Sequence, residues 1–275
     1  MAAMKKKNIS KSTIYVRELP DQTNAAFGVY MDGKLLTTPA GIPVTAENPR
    51  GLRLMAAELD FADALDVSGI NLYGMYSTEK EFVVAGRSCM GDELACALSS
   101  DAVLTMCSGP EARSQWEYYP LVIDFLADNN LKHPCCTQMP SPDGKGDMWS
   151  EDGWEENMQG IIEFVDSQLL MFTPSVSSAF LTALTVLDSP VLALMLVQGK
   201  ATPKEVACLY LLGNCIFSKG FYDVKRKEEQ RLLESITKTA ECIRAYVELF
   251  STARGRGLEG GWSPTWTGRA SRWQQ

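Results

Sequence analysis

Histidine is nearly absent from this sequence, since His133 is the only one among 275 residues. It is followed by Pro134, Cys135 and Cys136, so a metal site here would depend on two adjacent thiolates, which make poor joint ligands. A cysteine–histidine catalytic pair would need a third group to orient the imidazole, and the sequence identifies none. We therefore predict no metal and an ordinary loop histidine, with a hydrolase that uses Cys136 and His133 as an alternative.

Catalytic and nucleotide-binding motifs are also missing. The sequence contains no G-x-x-x-x-G-K-[ST], no G-x-G-x-x-G after a predicted strand and no G-x-S-x-G. Adjacent carboxylates such as Glu155 and Glu156 are typical of an exposed helix face. The sequence therefore predicts no catalytic residue, no cofactor and no small-molecule substrate, and it favours a protein that is not an enzyme.

Long apolar runs and a basic charge balance are lacking as well. The two main apolar runs, residues 180–187 and 191–197, are far shorter than the roughly 20 residues that a membrane span requires. None of the eight cysteines forms a C-x-x-C pair, which is typical of reduced thiols in an intracellular compartment. The formal net charge of −8 argues against general nucleic-acid binding by the whole protein, which would use a basic surface.

The first part of the chain has a β-like pattern. Apolar residues alternate in the segment before Asp32-Gly33, and this dipeptide is the strongest short hairpin signal. The prolines and the glycine of residues 37–44 prevent a regular central strand, and predict a turn that leads into another short strand. A helix is predicted at about residues 51–65. Together these features predict a small β-rich N-terminal domain over residues 21–88.

The remainder is predicted to be helical, and its centre is an apolar helical hairpin over residues 173–215. The two apolar runs lie there, separated by a short break, and helices that are apolar on most faces must bury one another. A third helix begins after Thr202, an N-cap candidate, with Pro203 at the first helical position and Glu205 completing a capping box. Further helices are predicted at residues 91–99, 110–128, 155–170 and 225–250, with a kink or a restart at Pro120. The fold class is thus α+β, in which a larger all-helical domain over residues 89–253 follows the β-rich domain.

Three segments lack a core pattern. Residues 1–20 contain five basic residues and one acid, a composition that organellar import segments share with plain basic tails. Residues 129–152 are rich in proline, glycine and polar residues, which predicts a long loop that binds a partner or is an insertion. Residues 254–275 combine arginine and glycine with tryptophans, and we expect this tail to be disordered alone. Trp262 and Trp266 are candidate partner contacts, suited to a protein groove or to stacking on unpaired bases.

The residues around the predicted hairpin carry a more specific signal. From residue 30 the sequence reads YMDGKLLTTPAGIPV: a strand, an Asp-Gly turn, a basic residue, a leucine, Thr-Pro-Ala-Gly and a further proline. This order resembles the N-terminal signature of the assembly chaperones dedicated to the alpha subunit of the ATP synthase catalytic head. The next helix of that family carries Glu-Trp-Asp where this sequence has Glu58, Leu59 and Asp60. The apolar hairpin and the capped helix after Thr202 also resemble that family, so the resemblance spans roughly residues 27–250.

The resemblance implies a non-enzymatic protein of the mitochondrial matrix. It implies that the chain binds the free alpha subunit and shields the surface that later contacts the beta subunit. It also implies partner contacts at Glu58 and Asp60, and in the helix around Leu211 and Asn214, where the family has acidic residues and a Trp-Gly pair. Of those helix residues only Gly220 is clearly kept here.

The missing acidic cluster leaves two interpretations open. The chain is either a diverged orthologue with an altered contact surface, which we prefer, or a paralogue that assembles another mitochondrial complex. For the paralogue, a ribonucleoprotein such as the mitoribosome would suit the Arg-Gly-Trp tail.

Overall fold

The structure is a computed structural model, and it describes residues 13–19, 27–61, 70–86, 91–104, 119–134, 153–213 and 224–251. Its strands are β1 Ile14–Glu18, β2 Phe27–Met31, β3 Lys34–Leu35 and β4 Thr45–Ala46. Its helices are α1 Pro49–Phe61, α2 Leu72–Thr78, α3 Gly91–Ser99, α4 Tyr119–Asp128, α5 Trp154–Met171, α6 Pro174–Leu187, α7 Pro190–Val197, α8 Pro203–Gly213 and α9 Val224–Phe250. A π-helical turn, Glu79–Val83, continues α2 directly. The fold class is α+β, as the sequence predicts.

Strand β2 is the centre of the small sheet. It pairs antiparallel with β1, β3 and β4. The β2–β3 hairpin turns at Asp32, with φ of 52°, and Gly33, with φ of 78°. A two-residue turn with both φ angles positive matches the natural twist of the paired strands and explains the Asp-Gly sequence. The predicted hairpin is confirmed.

The sheet begins earlier along the chain than the sequence pattern predicts. Strand β1 lies inside the segment assigned to a basic N-terminal extension, and it pairs with β2 over five residues. Tyr15 stacks on Tyr30 across the two strands, with ring centroids 5.6 Å apart. Ile14 and Val16 pack against the core, so their alternation with more polar residues is a strand signal. Residues 1–12 lie outside the described residues, and import remains a prediction.

The apolar hairpin lies at the centre of the helical part. Every residue of α7 is buried, and α7 is surrounded by α3, α5, α6, α8 and α9. The hydroxyl of Ser189 caps α7 by accepting a hydrogen bond from the amide of Leu192 at 3.0 Å. At the start of α8, the Thr202 amide donates to Glu205 Oε2 at 2.7 Å, and the Glu205 amide donates to Thr202 Oγ1 at 3.2 Å. The predicted capping box is confirmed.

One hydrophobic core joins the two predicted domains. Helix α2 and the π-helical turn pack against α6, and α1 and α2 also contact α9. The buried hydroxyl of Ser178 in α6 donates to the carbonyl of Met75 at 2.7 Å. The hydroxyl of Tyr246 in α9 donates to Glu79 Oε2, also at 2.7 Å. The β-rich and helical parts are therefore consecutive along the chain but share their packing.

Several predictions fall partly outside the described residues. Helix α4 covers the second half of the helix predicted at 110–128, whereas residues 105–118 are not described. In the predicted loop 129–152, residues 129–134 form no helix or strand, and residues 135–152 are not described. Within the described part of the chain, no helix is both long and apolar enough to cross a membrane.

Candidate functional site

The Thr-Pro-Ala-Gly turn is fastened to α2 and the π-helical turn. The hydroxyl of Tyr73 donates to the carbonyl of Thr37 at 2.8 Å, and the amide of Ala40 donates to Glu81 Oε1 at 2.8 Å. The hydroxyl of Tyr76 donates to the first carbonyl of β4 at 2.9 Å. The role of the signature in this chain is therefore to fix the sheet on the helices.

Glu58 joins three helices. Its Oε2 accepts a hydrogen bond at 2.8 Å from the amide of Leu72, the first residue of α2. A carboxylate is stabilised there, because the first amides of a helix lack intrahelical partners and carry partial positive charge. Its Oε1 accepts a hydrogen bond from Cys242 Sγ of α9 at 3.8 Å. Burial raises the pKa of Glu58, against the lowering effect of the Leu72 hydrogen bond.

The thiol that contacts Glu58 is not activated. Burial, together with the Glu58 charge, raises the pKa of the Cys242 thiol to about 12, so this thiol is protonated at neutral pH and is a poor nucleophile. Asp60 is half-buried on the same helix. Residues two apart on a helix face different directions, so the structure does not bring Glu58 and Asp60 together as one site.

Next to Glu58, α1 and α9 leave a groove between them. The two helices are antiparallel, because Gly51 faces Phe250 at one end and Glu58 faces Cys242 at the other. The groove has a volume of about 470 Å³ and is lined by Arg50, Arg53, Leu54, Ala57, Ala245, Glu248 and Leu249. Leu54 is 47% exposed. An apolar lining bordered by arginines and one glutamate is suited to bind a protein segment.

Gly51 sets how closely α1 approaches α9. A Cβ atom at this position would lie 2.7 Å from Phe250 Cζ. The ring of Phe250 is itself held by Tyr246, with stacked centroids 4.7 Å apart, and by the edge of Tyr76 at 6.1 Å. Any larger residue must push this aromatic group away.

We expect Gly51→Ala to lower the free energy of unfolding. Overpacking costs about 1–3 kcal/mol, which exceeds the gain in helix propensity of at most about 1 kcal/mol. Gly160→Ala in α5 is the matched control, because its Cβ would lie 3.7 Å from Leu131 Cδ2, an ordinary contact. That variant should gain about 0.5–1 kcal/mol. Urea unfolding of both proteins checks this, and a stabilised Gly51→Ala variant would contradict the close packing of α1 on α9.

A second polar cluster is buried at the start of α7. Asp101 is 0% exposed, and its Oδ2 accepts hydrogen bonds from Ser189 Oγ at 2.9 Å and from the amide of Val191 at 3.3 Å. Its Oδ1 accepts a third from the amide of Val103 at 3.0 Å. Burial raises the pKa of Asp101 to about 7. In the sequence, Asp101 begins the apolar segment 101–107, at the place where the resembled family has an aspartate at its domain junction. The sequence does not show that this acid is buried.

His133 is buried, whereas the sequence predicts an ordinary loop histidine. Its Nε2 lies 3.1 Å from the carbonyl of Val103 and contacts the hydroxyl of Tyr119. Burial lowers the pKa of His133 to about 4, so the imidazole is neutral at neutral pH. Cys135 and Cys136 lie outside the described residues. Within those residues, no three His, Cys, Asp or Glu side chains come together as metal ligands.

Comparison with solved structures gives the fold a precedent. The chain matches Atp12 from Paracoccus denitrificans with a TM-score of 0.61 at 14% identity, over 86% of this chain and 95% of that chain. It has the Atp12 fold. An aspartate-to-lysine mutant of P. denitrificans Atp12p matches with a TM-score of 0.56 at 15% identity, over 86% of this chain and 95% of that one. The chaperone candidate Atu1473 from Agrobacterium tumefaciens matches with a TM-score of 0.56 at 17% identity, over 86% and 83%.

The Atp12 fold was predictable from the short motifs although overall sequence similarity is low. No protein-family model matches the sequence, and a search of curated proteins gives no match. At 14–17% identity the shared fold is what these structures establish. The fold expected from the Thr-Pro-Ala-Gly signature and the apolar hairpin is confirmed.

Within the Atp12 fold, the structure describes three of the six sequence-predicted partner residues, Glu58, Asp60 and Leu211. Leu211 is 0% exposed and belongs to the hydrophobic core. This corrects the prediction of a partner contact at Leu211, because a side chain without solvent exposure cannot touch a partner of the folded protein. Asn214, Trp262 and Trp266 lie outside the described residues, and their predicted role stays a prediction.

Proposed function

We propose that this protein is a non-enzymatic assembly chaperone of the mitochondrial matrix. Its client, meaning the subunit that it binds, is the free alpha subunit of ATP synthase, whose subunit interface it shields until the alpha-beta hexamer forms. The observation that carries the proposal is the Atp12 fold over 86% of the chain. The Thr-Pro-Ala-Gly signature supports the same conclusion from the sequence.

The groove between α1 and α9 is the surface that we assign to the client. An unassembled subunit exposes an apolar interface patch that aggregates unless it is covered. Leu54 and Leu249 offer apolar contact, and Arg50 and Arg53 border it with the residue type that is enriched in protein interfaces. A groove of this modest size binds a client reversibly, so the larger native interface can displace the chaperone.

We expect Leu54→Asp to weaken binding of the purified alpha subunit at least about tenfold, which corresponds to about 1.4 kcal/mol. The new carboxylate would have to be desolvated against the apolar client surface. The melting temperature should be unchanged, because Leu54 is 47% exposed and Arg50 lies one helical turn away to pair with the acid. Isothermal titration calorimetry measures the affinity.

Leu170→Asp is the matched control for this variant. Leu170 is 88% exposed on α5, so it receives the same substitution on a different helix. Equal loss of binding in both variants, or in neither, would contradict the assignment of the groove. Affinity purification from mitochondria tests the client itself: recovery of ribosomal proteins without the alpha subunit would favour a paralogue that assembles the mitoribosome.

A further inference from the structure

We propose that residues 260–268 of this chain fold back into the groove between α1 and α9 and occupy it while no client is bound. This inference deepens the proposed function, on which its regulatory meaning rests. The tail would then be an intramolecular competitor that keeps an apolar surface covered until the alpha subunit displaces it.

The tail follows directly on one of the two helices that line the groove. Ala245, Glu248 and Leu249 line the groove, and α9 ends at Phe250. A further 24 residues, 252–275, follow the last described residue, Ser251. Because an extended chain spans about 3.3–3.6 Å per residue, the ten residues between Ser251 and Trp262 can turn back and reach any part of the groove.

Because the connection between α9 and Trp262 is short, even a weak contact between the tail and the groove is sufficient to keep the groove occupied. A binding segment on a short flexible linker has an effective concentration of about 1 mM. A contact with an intrinsic dissociation constant of about 0.1 mM would then be about 90% formed within the molecule, because occupancy depends on the ratio of these two concentrations. The tail therefore needs only one or two anchor side chains.

The chemistry of residues 260–268 fits the groove. This stretch, GGWSPTWTG, contains Trp262 and Trp266 and no charged residue. The indole of a tryptophan can pack against the apolar side chains of Leu54 and Leu249. The guanidinium of Arg50 or Arg53 can at the same time stack on the face of that ring in a cation–π contact. The groove volume of about 470 Å³ is in the range of small-ligand pockets, about 300–1,000 Å³.

The charges of the tail limit which of its residues can lie beside the groove arginines. The arginines lie on either side of the uncharged stretch, at 254, 256, 269 and 272, against a single tail acid, Glu259. The tail is thus a basic segment of a protein whose net charge is −8. Exposed charges of both signs occur along α9: the acids Glu228, Glu234, Glu241 and Glu248, and the bases Lys227, Arg231 and Lys238. With the uncharged stretch beside Arg50 and Arg53, the flanking arginines can lie near these acids and avoid the groove arginines.

The test measures access to the groove in the full chain without any client. Leu54→Cys places a thiol in the groove, and its maleimide labelling rate is followed peptide by peptide by mass spectrometry, so native cysteines do not interfere. We expect Trp262→Ser with Trp266→Ser to raise the labelling rate at residue 54 about tenfold, as 90% occupancy requires. Trp273→Ser, outside the uncharged stretch, should leave that rate unchanged. Leu170→Cys should label at the same rate in every tail variant.

An unchanged labelling rate at residue 54 after both tryptophan substitutions would overturn the inference. Protection that disappears on dilution would also overturn it, because the tail would then come from a second copy. If the labelling rate responds and the double variant binds the alpha subunit several-fold more tightly, both proposals are supported. If labelling responds but neither the native chain nor the double tryptophan variant, both with Leu54 in place, binds the alpha subunit, the docking stands and the proposed function fails.

Discussion

Replacing Asp101 by alanine is expected to lower the free energy of unfolding by about 3–5 kcal/mol at pH 5. The substitution leaves the amides of Val103 and Val191 and the hydroxyl of Ser189 without the acceptor that they share. Each buried donor without a partner costs about 1–3 kcal/mol. The start of α7, the helix that is buried on all sides, loses its support.

The cost of this substitution should shrink as the pH rises. The pKa of Asp101 is about 7 in the folded protein and near 4 in the unfolded chain, so between these values the folded state binds more protons. Stability from Asp101 is therefore present at low pH and is lost as the pH rises towards 7. The destabilisation should be smaller at pH 8 than at pH 5 by about 2–3 kcal/mol, at about 1.4 kcal/mol per pKa unit.

Guanidinium unfolding of both proteins at pH 5 and pH 8 measures this difference. His133 titrates with the opposite sign, since burial lowers its pKa to about 4, but its contribution is common to both proteins and cancels. Ser189→Ala is the control, because it removes one partner and a cap for about 1–2 kcal/mol while the carboxyl remains. A cost for Asp101→Ala that is the same at both pH values would contradict a buried, protonated carboxyl.

Leu211→Ala is expected to cost about 3 kcal/mol of unfolding free energy, because it opens a cavity around a fully buried side chain. Leu54→Ala is the same substitution at a residue that is 47% exposed, and it should change stability by no more than about 0.5 kcal/mol. The effect on binding to the alpha subunit should be the reverse of the effect on stability. Leu54→Ala should weaken the complex, and Leu211→Ala should leave its affinity unchanged.

Chemical unfolding and calorimetric titration of the two leucine variants give both rankings. If the Leu211→Ala protein is fully stable but no longer binds the alpha subunit, the result would support the partner contact that the sequence predicts at Leu211. Retained stability in both variants would contradict the core position of Leu211.

Local signals in the sequence predicted local structure well. The type of the hairpin turn is determined by Asp32-Gly33, and the start of α8 is determined by Thr202 and Glu205, because in each case the interacting groups lie within a few residues. The hairpin of apolar helices was predictable because α7 has no polar side. These elements, with the Thr-Pro-Ala-Gly signature, were sufficient to predict the fold.

The groove required information that lies far apart in the chain. Glu58 meets Leu72 at a separation of 14 residues but meets Cys242 at a separation of 184. The sequence identifies α1 and α9 as amphipathic helices, yet it does not say which of their faces meet or where they leave a gap. Leu211 was predicted to contact a partner because it lies at the position of a family contact helix. That equivalence carries no information about burial, and the side chain lies in the core.

The position of α9 after the other described helices has a consequence for biosynthesis. This helix, the last of those described, provides the partners of Gly51, Glu58 and Glu79, which the ribosome makes first. Contacts across so much sequence form slowly, because a long loop must close before they are made. The described core therefore becomes complete only after translation of residue 250, and until then the nascent chain exposes the apolar side chains that α9 later covers.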